Sequence, residues 1–188
     1  MNNKRIIVVG AGPAGMMAGI TAAQHSKNVT IIEKNTDIGK KLRITGGGRC
    51  NVTNNSSPEE TMEKVTTNRK FLYKSLHIFT SKQLMKLVEE NGCLLKVEAE
   101  SKVFPISEKS SDIIEVFRKL LIKNSVKIYN QCEMKDILVQ DNQVLGVKTK
   151  DNQELLCDSV VLATGGVTYP HTGSTGEAFR ICEGLGHS

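Results

Sequence analysis

The chain of 188 residues carries 25 basic and 20 acidic side chains for a formal net charge of +5, and is 39% hydrophobic and 24% charged. A chain of this size and composition buries about 70% of its unfolded surface, which predicts a globular protein with residues 1–188 in one domain and a solvated, mildly basic surface. Aromatic residues at 4%, with no Trp, argue against nucleic acid as a partner. No apolar run approaches a membrane span, and the N-terminus enters a strand at once, without room for a signal peptide. Five scattered cysteines with no C-x-x-C pair argue against a disulfide framework and a zinc site, leave no metal to expect, and suit a reducing cytoplasm.

The first element is a short β-branched strand, Lys4 to Val9, which stops at Gly10-Ala11-Gly12-Pro13-Ala14-Gly15. This G-x-G-x-x-G spacing falls where a strand turns into a helix. Gly10 allows the tight turn, Gly12 lets backbone approach a pyrophosphate, and Gly15 lets the helix lie close to the strand. Pro13 suits the first helical turn, where its missing N–H costs nothing. The helix runs to about Gln24 with Ala14, Ala18 and Ala22 on one face, and a second strand, Asn28 to Glu33, ends in an acid able to accept from both ribose hydroxyls of an adenine dinucleotide. With 16 glycines, three at this spacing arise by chance in about one such chain in ten, so the strand, helix and acid around them carry the reading. The alternative is a bare βαβ turn.

Asn35 to Asn55 reads as one long loop. Lys40, Lys41, Arg43 and Arg49 surround the run Gly46-Gly47-Gly48, followed by Cys50 and Asn51, a set of backbone N–H groups and cations suited to an anionic ligand or to ring oxygens. A flexible glycine hinge is the plain alternative. Ser57 to Glu60 forms a capping box opening a helix whose apolar face runs from Met62 to Phe79, and Thr80 to Gln83 caps another that stops at Asn91-Gly92. Lys96 to Ile106 is extended, and Asp112 to Lys123 has helical spacing. Val126 to Asn130 is a strand, followed by a meander of Asp136 to Gln140, Gln143 to Lys150 and Glu154 to Cys157. Ser159 to Ala163 has the apolar character of a strand buried on both faces, and ends at the glycine turn Thr164-Gly165-Gly166. A last helix follows Thr172 to Glu177. Four parallel-type strands are few for a doubly wound fold, so truncation is expected.

Together these segments resemble a two-dinucleotide-binding-domain flavoprotein of the glutathione-reductase type, and more narrowly the bacterial YhiN-like FAD-dependent oxidoreductases, described as NAD(FAD)-utilising dehydrogenases, aminoacetone-oxidase-like proteins and 3-dehydro-bile-acid reductases. The likeness rests on Gly10 to Gly15, Glu33-Lys34, the loop from Gly39 to Asn51, Val103-Phe104-Pro105, and Ala163 to Gly176. It implies an α/β, Rossmann-like FAD-binding domain with a parallel sheet plus a β-meander, lacking a substrate domain and a C-terminal FAD segment. The family usually has Asp where Glu177 stands.

The resemblance assigns Gly10, Gly12, Pro13, Ala14 and Gly15 to the FAD pyrophosphate and Glu33 to the adenosine ribose. Lys34, Lys41, Gly46, Gly47, Gly48, Arg49, Cys50 and Asn51 go to the phosphate and flavin side, Cys132 to the adenine, and Thr164, Gly165 and Gly166 to the closing turn. The implied reaction passes hydride between NAD(P)H and a small-molecule substrate. Arg49 or Lys41 would stabilise charge at the flavin's N1 and O2 edge, or else clamp phosphate. Cys50 beside Arg49 invites a redox-thiol reading, against an ordinary loop thiol. No acid or base is assigned, His171 reads as a loop histidine, and the oligomeric state is not specified. Two other readings stand: a dinucleotide-binding module without turnover of its own, and a one-domain NAD-dependent dehydrogenase, which the long glycine loop opposes.

Overall fold

Residues 2–187 are described by a computed structural model. In chain order the described residues form β1 (Asn2–Val9), α1 (Pro13–Ala23), β2 (Ser26–Glu33), β3 (Thr53–Asn54), α2 (Pro58–Glu63), α3 (Arg69–Ile78), α4 (Ser81–Glu90), β4 (Leu95–Val97), β5 (Lys102–Pro105), α5 (Ser110–Lys123), β6 (Lys127–Asn130), β7 (Met134–Gln140), β8 (Gln143–Thr149), β9 (Glu154–Leu156), β10 (Ser159–Leu162) and α6 (Glu177–Gly184). Short 3₁₀ turns fall within Leu42–Gly48, Ala99–Ser101 and Pro170–Thr172, the first kinked through Thr45, Gly46 and Gly47 and the second at Glu100. The chain divides into two compact units, one from the residues up to Leu42 together with those from Phe117 onward, the other Arg43–Val116.

The first unit is built on a four-stranded sheet in the order β10-β1-β2-β6, all neighbours parallel. Its four strands are those the sequence predicts. Val8, Ile31 and Ile32 are completely buried, each worth about 1.5–3 kcal/mol over leaving it exposed. The antiparallel meander β7-β8-β9 packs on the sheet through a cluster of Ile7, Val9, Ile32, Met134, Val147 and Cys157. The turn between β7 and β8 holds Asp141 and Asn142 at φ +50° and +58°, the left-handed pair a two-residue hairpin needs. The buried stripe of α1 is Gly15, Met16, Gly19 and Ile20, so the alanines of the sequence reading flank the contact and do not form it. β10 differs from expectation too: Val161 is 37% exposed, because β10 is an edge strand of the sheet among the described residues.

The second unit holds the three-stranded antiparallel sheet β3-β5-β4 and helices α2 to α4. The stretch read as one long loop here forms 3₁₀ turns and β3, where Thr53 and Asn54 pair with Val103 and Lys102. The stretch read as a single extended segment is a hairpin, β4 to β5, turned through Glu100 and Ser101 at φ +57° and +58°. Both predicted capping boxes are present, Ser57 with Glu60 and Thr80 with Gln83. The helix expected to run on from Ser57 to Phe79 is broken into α2 and α3. Val65, Thr66 and Thr67 lose rotamer freedom in a helix, and Asn68 takes the left-handed conformation ahead of α3.

Candidate functional site

A cleft of about 620 Å³ opens in the first unit at the C-terminal ends of β1, β2 and β10. The chain passes from β1 to β2 on one side and β10 lies on the other, so this is the switch point of the sheet, where open α/β sheets bind ligands. The glycine turn is shaped by two close approaches. A Cβ on Gly15 would lie 1.8 Å from the Gly10 carbonyl oxygen, and one on Gly10, at φ +98°, would lie 2.6 Å from the Ala163 oxygen. Helix, turn and β10 can meet only over bare backbone. Gly12 is the opposite case: nothing stands within 4 Å of a Cβ there, so the space beside it belongs to the cleft. Gly12 caps α1 with no side-chain hydrogen bond and no acid follows in the first turn, which leaves backbone N–H groups and the positive end of the helix dipole facing the cleft.

Glu33 closes β2 and is 7% exposed. Its Oε2 accepts from the Ala11 N–H at 2.7 Å, and its Oε1 accepts from the Asn35 N–H at 2.8 Å and the Asn35 Nδ2 at 2.6 Å. Oε2 keeps acceptor capacity for a hydroxyl donor. The backbone holds the strand end in turn: Gly10 N–H donates to Ile32 O, and Cys132 N–H to Glu33 O. Cys132 therefore reaches the cleft rim beside Glu33, and burial pushes its thiol pKa up, with Asp151 adding to the rise.

The segment from Thr172 to Gly176 forms another wall. It is tied to the end of β2 by Asn35 Nδ2, which donates to Thr172 O at 3.3 Å, and by Lys34 Nζ, which donates to Thr175 Oγ1 at 3.3 Å. Lys34 and Lys150 alternate with Glu133 and Glu177 in a four-membered ion-pair ring: Lys150 is 2.9 Å from Glu133 and 3.3 Å from Glu177, and Lys34 is 3.4 Å from Glu177 and 3.9 Å from Glu133. Burial opposes ionisation of Glu177, but Lys34 and Lys150 outweigh it and hold its pKa below the ordinary carboxylate value. The folded pKa is depressed, so this stabilisation is complete above the unfolded value of about 4.3 and is lost as pH falls through the lower folded value. Glu177→Gln is expected to flatten the acid limb of the stability profile, read as urea midpoint against pH. An unaltered acid limb would remove Glu177 from the linkage. Lys41 Nζ donates to Thr168 O at 2.7 Å and Lys40 Nζ to Asn35 Oδ1 at 3.1 Å, so two ammonium groups near the cleft rest on neutral oxygens.

Of the residues expected from the sequence, Gly10, Gly12, Pro13, Ala14, Glu33, Lys34, Lys41, Cys132, Thr164 and Gly165 line this cleft. Gly15 is buried behind the turn, and Gly166 is not among the lining residues. Asn35, Glu133 and Phe179 also line it but carry no local sequence signal, whereas Thr172 to Gly176 has one, its second glycine-rich run.

Gly46 to Asn51 belong to the second unit. Gly46, Gly47 and Gly48 have φ of +57°, +67° and +89°, and Cys50 follows at +66°. Arg49 donates to both oxygens of Glu98 at 3.1 Å and to Glu108 at 3.0 Å, and lies 3.9 Å over the Phe104 ring. Lys96 pairs with the same two carboxylates. Glu108 and then Glu98 raise the Arg49 pKa. Cys50 is completely buried, and burial raises its pKa despite a lowering hydrogen bond from Thr45, an environment that disfavours thiolate. Asn51, with its amide oriented to suit its neighbours, donates to Thr53 O and Val103 O.

The chain is 28% identical over 183 residues to the ribosomal RNA dihydrouridine synthase of Haemophilus influenzae, covering 96% of this chain and 45% of that protein. It is 27% identical over 186 residues to the 3-dehydro-bile acid Δ(4,6)-reductase of Clostridium scindens, covering 98% and 44%. It thus spans less than half the length of these curated relatives. The structure of 3-ketosteroid-Δ4-(5α)-dehydrogenase from Rhodococcus jostii RHA1, in complex with 4-androstene-3,17-dione, superposes with a TM-score of 0.66 at 17% identity over 89% of this chain and 47% of that one, a likeness of fold. The glycine turn, the acid closing β2 and the parallel order β10-β1-β2-β6 form a Rossmann-type FAD-binding fold, and the model of the HI0933-like protein Rossmann domain matches residues 4–188: the chain belongs to that family.

Proposed function

We propose that this chain is the FAD-binding part of a flavoprotein oxidoreductase that reduces a carbon–carbon double bond conjugated to a carbonyl, with NAD(P)H as reductant. The observation that carries the cofactor assignment is the cleft at the sheet's switch point, where the open face of Gly12, the uncapped start of α1 and the Glu33 carboxylate converge. Backbone of Gly10, Gly12 and Ala14 would receive the pyrophosphate, with Gly15 holding the turn from behind, and Glu33 would take the ribose hydroxyls. Lys34 and Lys41 would add positive charge, with Cys132, Thr164 and Gly165 at the rim. Gly46 to Gly48 offer N–H groups in successive left-handed residues, a form suited to anionic oxygens, while the Arg49 and Cys50 N–H groups close the loop on Gly46 O and Thr45 O. Arg49, held by Glu98 and Glu108, keeps that loop in shape. Bound flavin supplies the hydride chemistry, and the protein supplies binding, orientation and charge.

The substrate class comes from the relatives' names. Dihydrouridine is uridine saturated across the bond conjugated to a ring carbonyl, and a Δ(4,6)-reductase saturates bonds conjugated to a 3-oxo group, so the two share one acceptor chemistry. The test is anaerobic. The FAD-loaded protein is mixed with NADH or NADPH, then with a uridine-containing RNA or a 3-oxo-Δ4,6 bile acid. Bleaching of the flavin by a nicotinamide, followed by gain of two hydrogens in one substrate, is the expected result. Bleaching with neither substrate altered would reject the substrate class and leave the cofactor reading standing.

A further inference from the structure

The second unit carries a basic, aromatic helix face with no role in the proposed site. Between residues 64 and 88 stand six basic side chains, Lys64, Arg69, Lys70, Lys74, Lys82 and Lys86, and no acidic one. α3 buries none of its residues. At 100° per residue, Leu72 and Leu76, the two half-buried apolar positions of α3, share one side of it. The remaining arc of roughly 200° runs through Arg69, Tyr73, His77, Lys70, Lys74, Ile78 and Phe71, every one exposed. Phe71 is 85% exposed and Tyr73 56%. These are large apolar surfaces that folding leaves in water, set among cations.

The rings are presented in an ordered way. Tyr73 and His77 stack with centroids 4.2 Å apart and planes 28° from parallel. His77 is pinned by Glu59 of α2 at 3.0 Å and by the Tyr73 carbonyl at 2.7 Å. Glu59, Glu60 and Glu63 are the acids of the neighbouring helix, and Glu59 is occupied with His77. Lys70 and Lys74 stand one turn apart on the exposed arc of α3.

The geometry points to α3 as an RNA-binding surface, its lysines and Arg69 on backbone phosphates and Phe71 and Tyr73 against unpaired bases. Cations interleaved with exposed rings suit a polyanion that also offers stacking faces. A lipid surface would use the cations but call for aliphatic depth, which the short α3 supplies only at Ile78. That the bound RNA is also the substrate rests on the reading proposed above; the binding surface itself does not.

The test uses the purified protein and a fluorescein-labelled RNA hairpin with an unpaired loop, followed by anisotropy from low to physiological salt. The same protein is tested against vesicles of phosphatidylserine and phosphatidylcholine. K70A/K74A is expected to weaken RNA binding tenfold or more at physiological salt, and to lower the slope of log affinity against log salt by about one to two, since each lysine released from a phosphate removes about one. F71A should weaken binding with the slope unchanged, because stacking releases no counterions. Helix content by circular dichroism and the urea unfolding midpoint serve as controls for folding. Equal RNA affinity for wild type and K70A/K74A, no RNA binding by wild type at physiological salt, or preference for vesicles over RNA would each overturn the assignment. FAD is not needed for the titration, so failure of the flavin reading and failure of the RNA surface are separately visible.

Discussion

Gly15→Ala is expected to be the most damaging single substitution in the chain. Its new Cβ would lie 1.8 Å from the Gly10 carbonyl oxygen, and a backbone atom cannot be displaced by a rotamer change. Either α1 moves off the sheet or the turn at Gly10 opens. Overpacking a core usually costs about 1–3 kcal/mol, and the backbone contact places this case at or above the upper figure. That is a large share of the roughly 5–15 kcal/mol that holds a domain together. The matched control is Gly12→Ala. Gly12 has φ −73° and open space around it, so the change costs only the poorer N-cap that Ala makes, about 1 kcal/mol or less, while FAD affinity falls. Urea unfolding of both variants, beside FAD titration of both, separates the two roles. Equal destabilisation of the two, or a Gly15→Ala protein as stable as wild type, would contradict the assignment of packing to Gly15 and ligand approach to Gly12.

Glu33→Ala has the next largest expected effect, and it acts twice. In the protein alone it strips the acceptor from Ala11 N–H, where Ala11 is completely buried, and from both donors of Asn35. A buried donor left without a partner costs about 1–3 kcal/mol; Ala11 N–H is that case, while the half-buried Asn35 amide keeps Thr172 O, so a loss of about 1–3 kcal/mol is expected. In the complex it removes the proposed ribose acceptor, and FAD affinity should fall by more than tenfold. Glu33→Gln keeps an acceptor oxygen and should recover part of the stability without recovering all of the affinity. Stability unchanged in Glu33→Ala would mean that the turn is held by other contacts.

What the sequence makes legible is what short-range rules determine. The turn from β1 into α1, the acid at the end of β2, the two capping boxes and the turns of the meander each depend on residues within a few positions of one another, and each is found. The break between α2 and α3 was written in Val65 to Asn68, but the apolar periodicity on either side concealed it. The β4 to β5 hairpin carries no such signal, because its turn uses Glu100 and Ser101 in the left-handed region, without the glycine or asparagine that marks such turns. The ring of Lys34, Glu133, Lys150 and Glu177 joins residues up to 143 positions apart, and no local pattern encodes it. A whole-chain aromatic count likewise hides a local one, since Phe71, Tyr73 and Phe79 fall within nine residues of a basic stretch.

FAD titration of the apo-protein, followed by visible absorbance and gel filtration, tests the central claim most directly. The expected result is a flavin spectrum that saturates at one FAD per chain, shifts from that of free FAD, and stays with the protein through the column. A folded protein that remains colourless after excess FAD would contradict the assignment of the β1, β2 and β10 cleft to this cofactor.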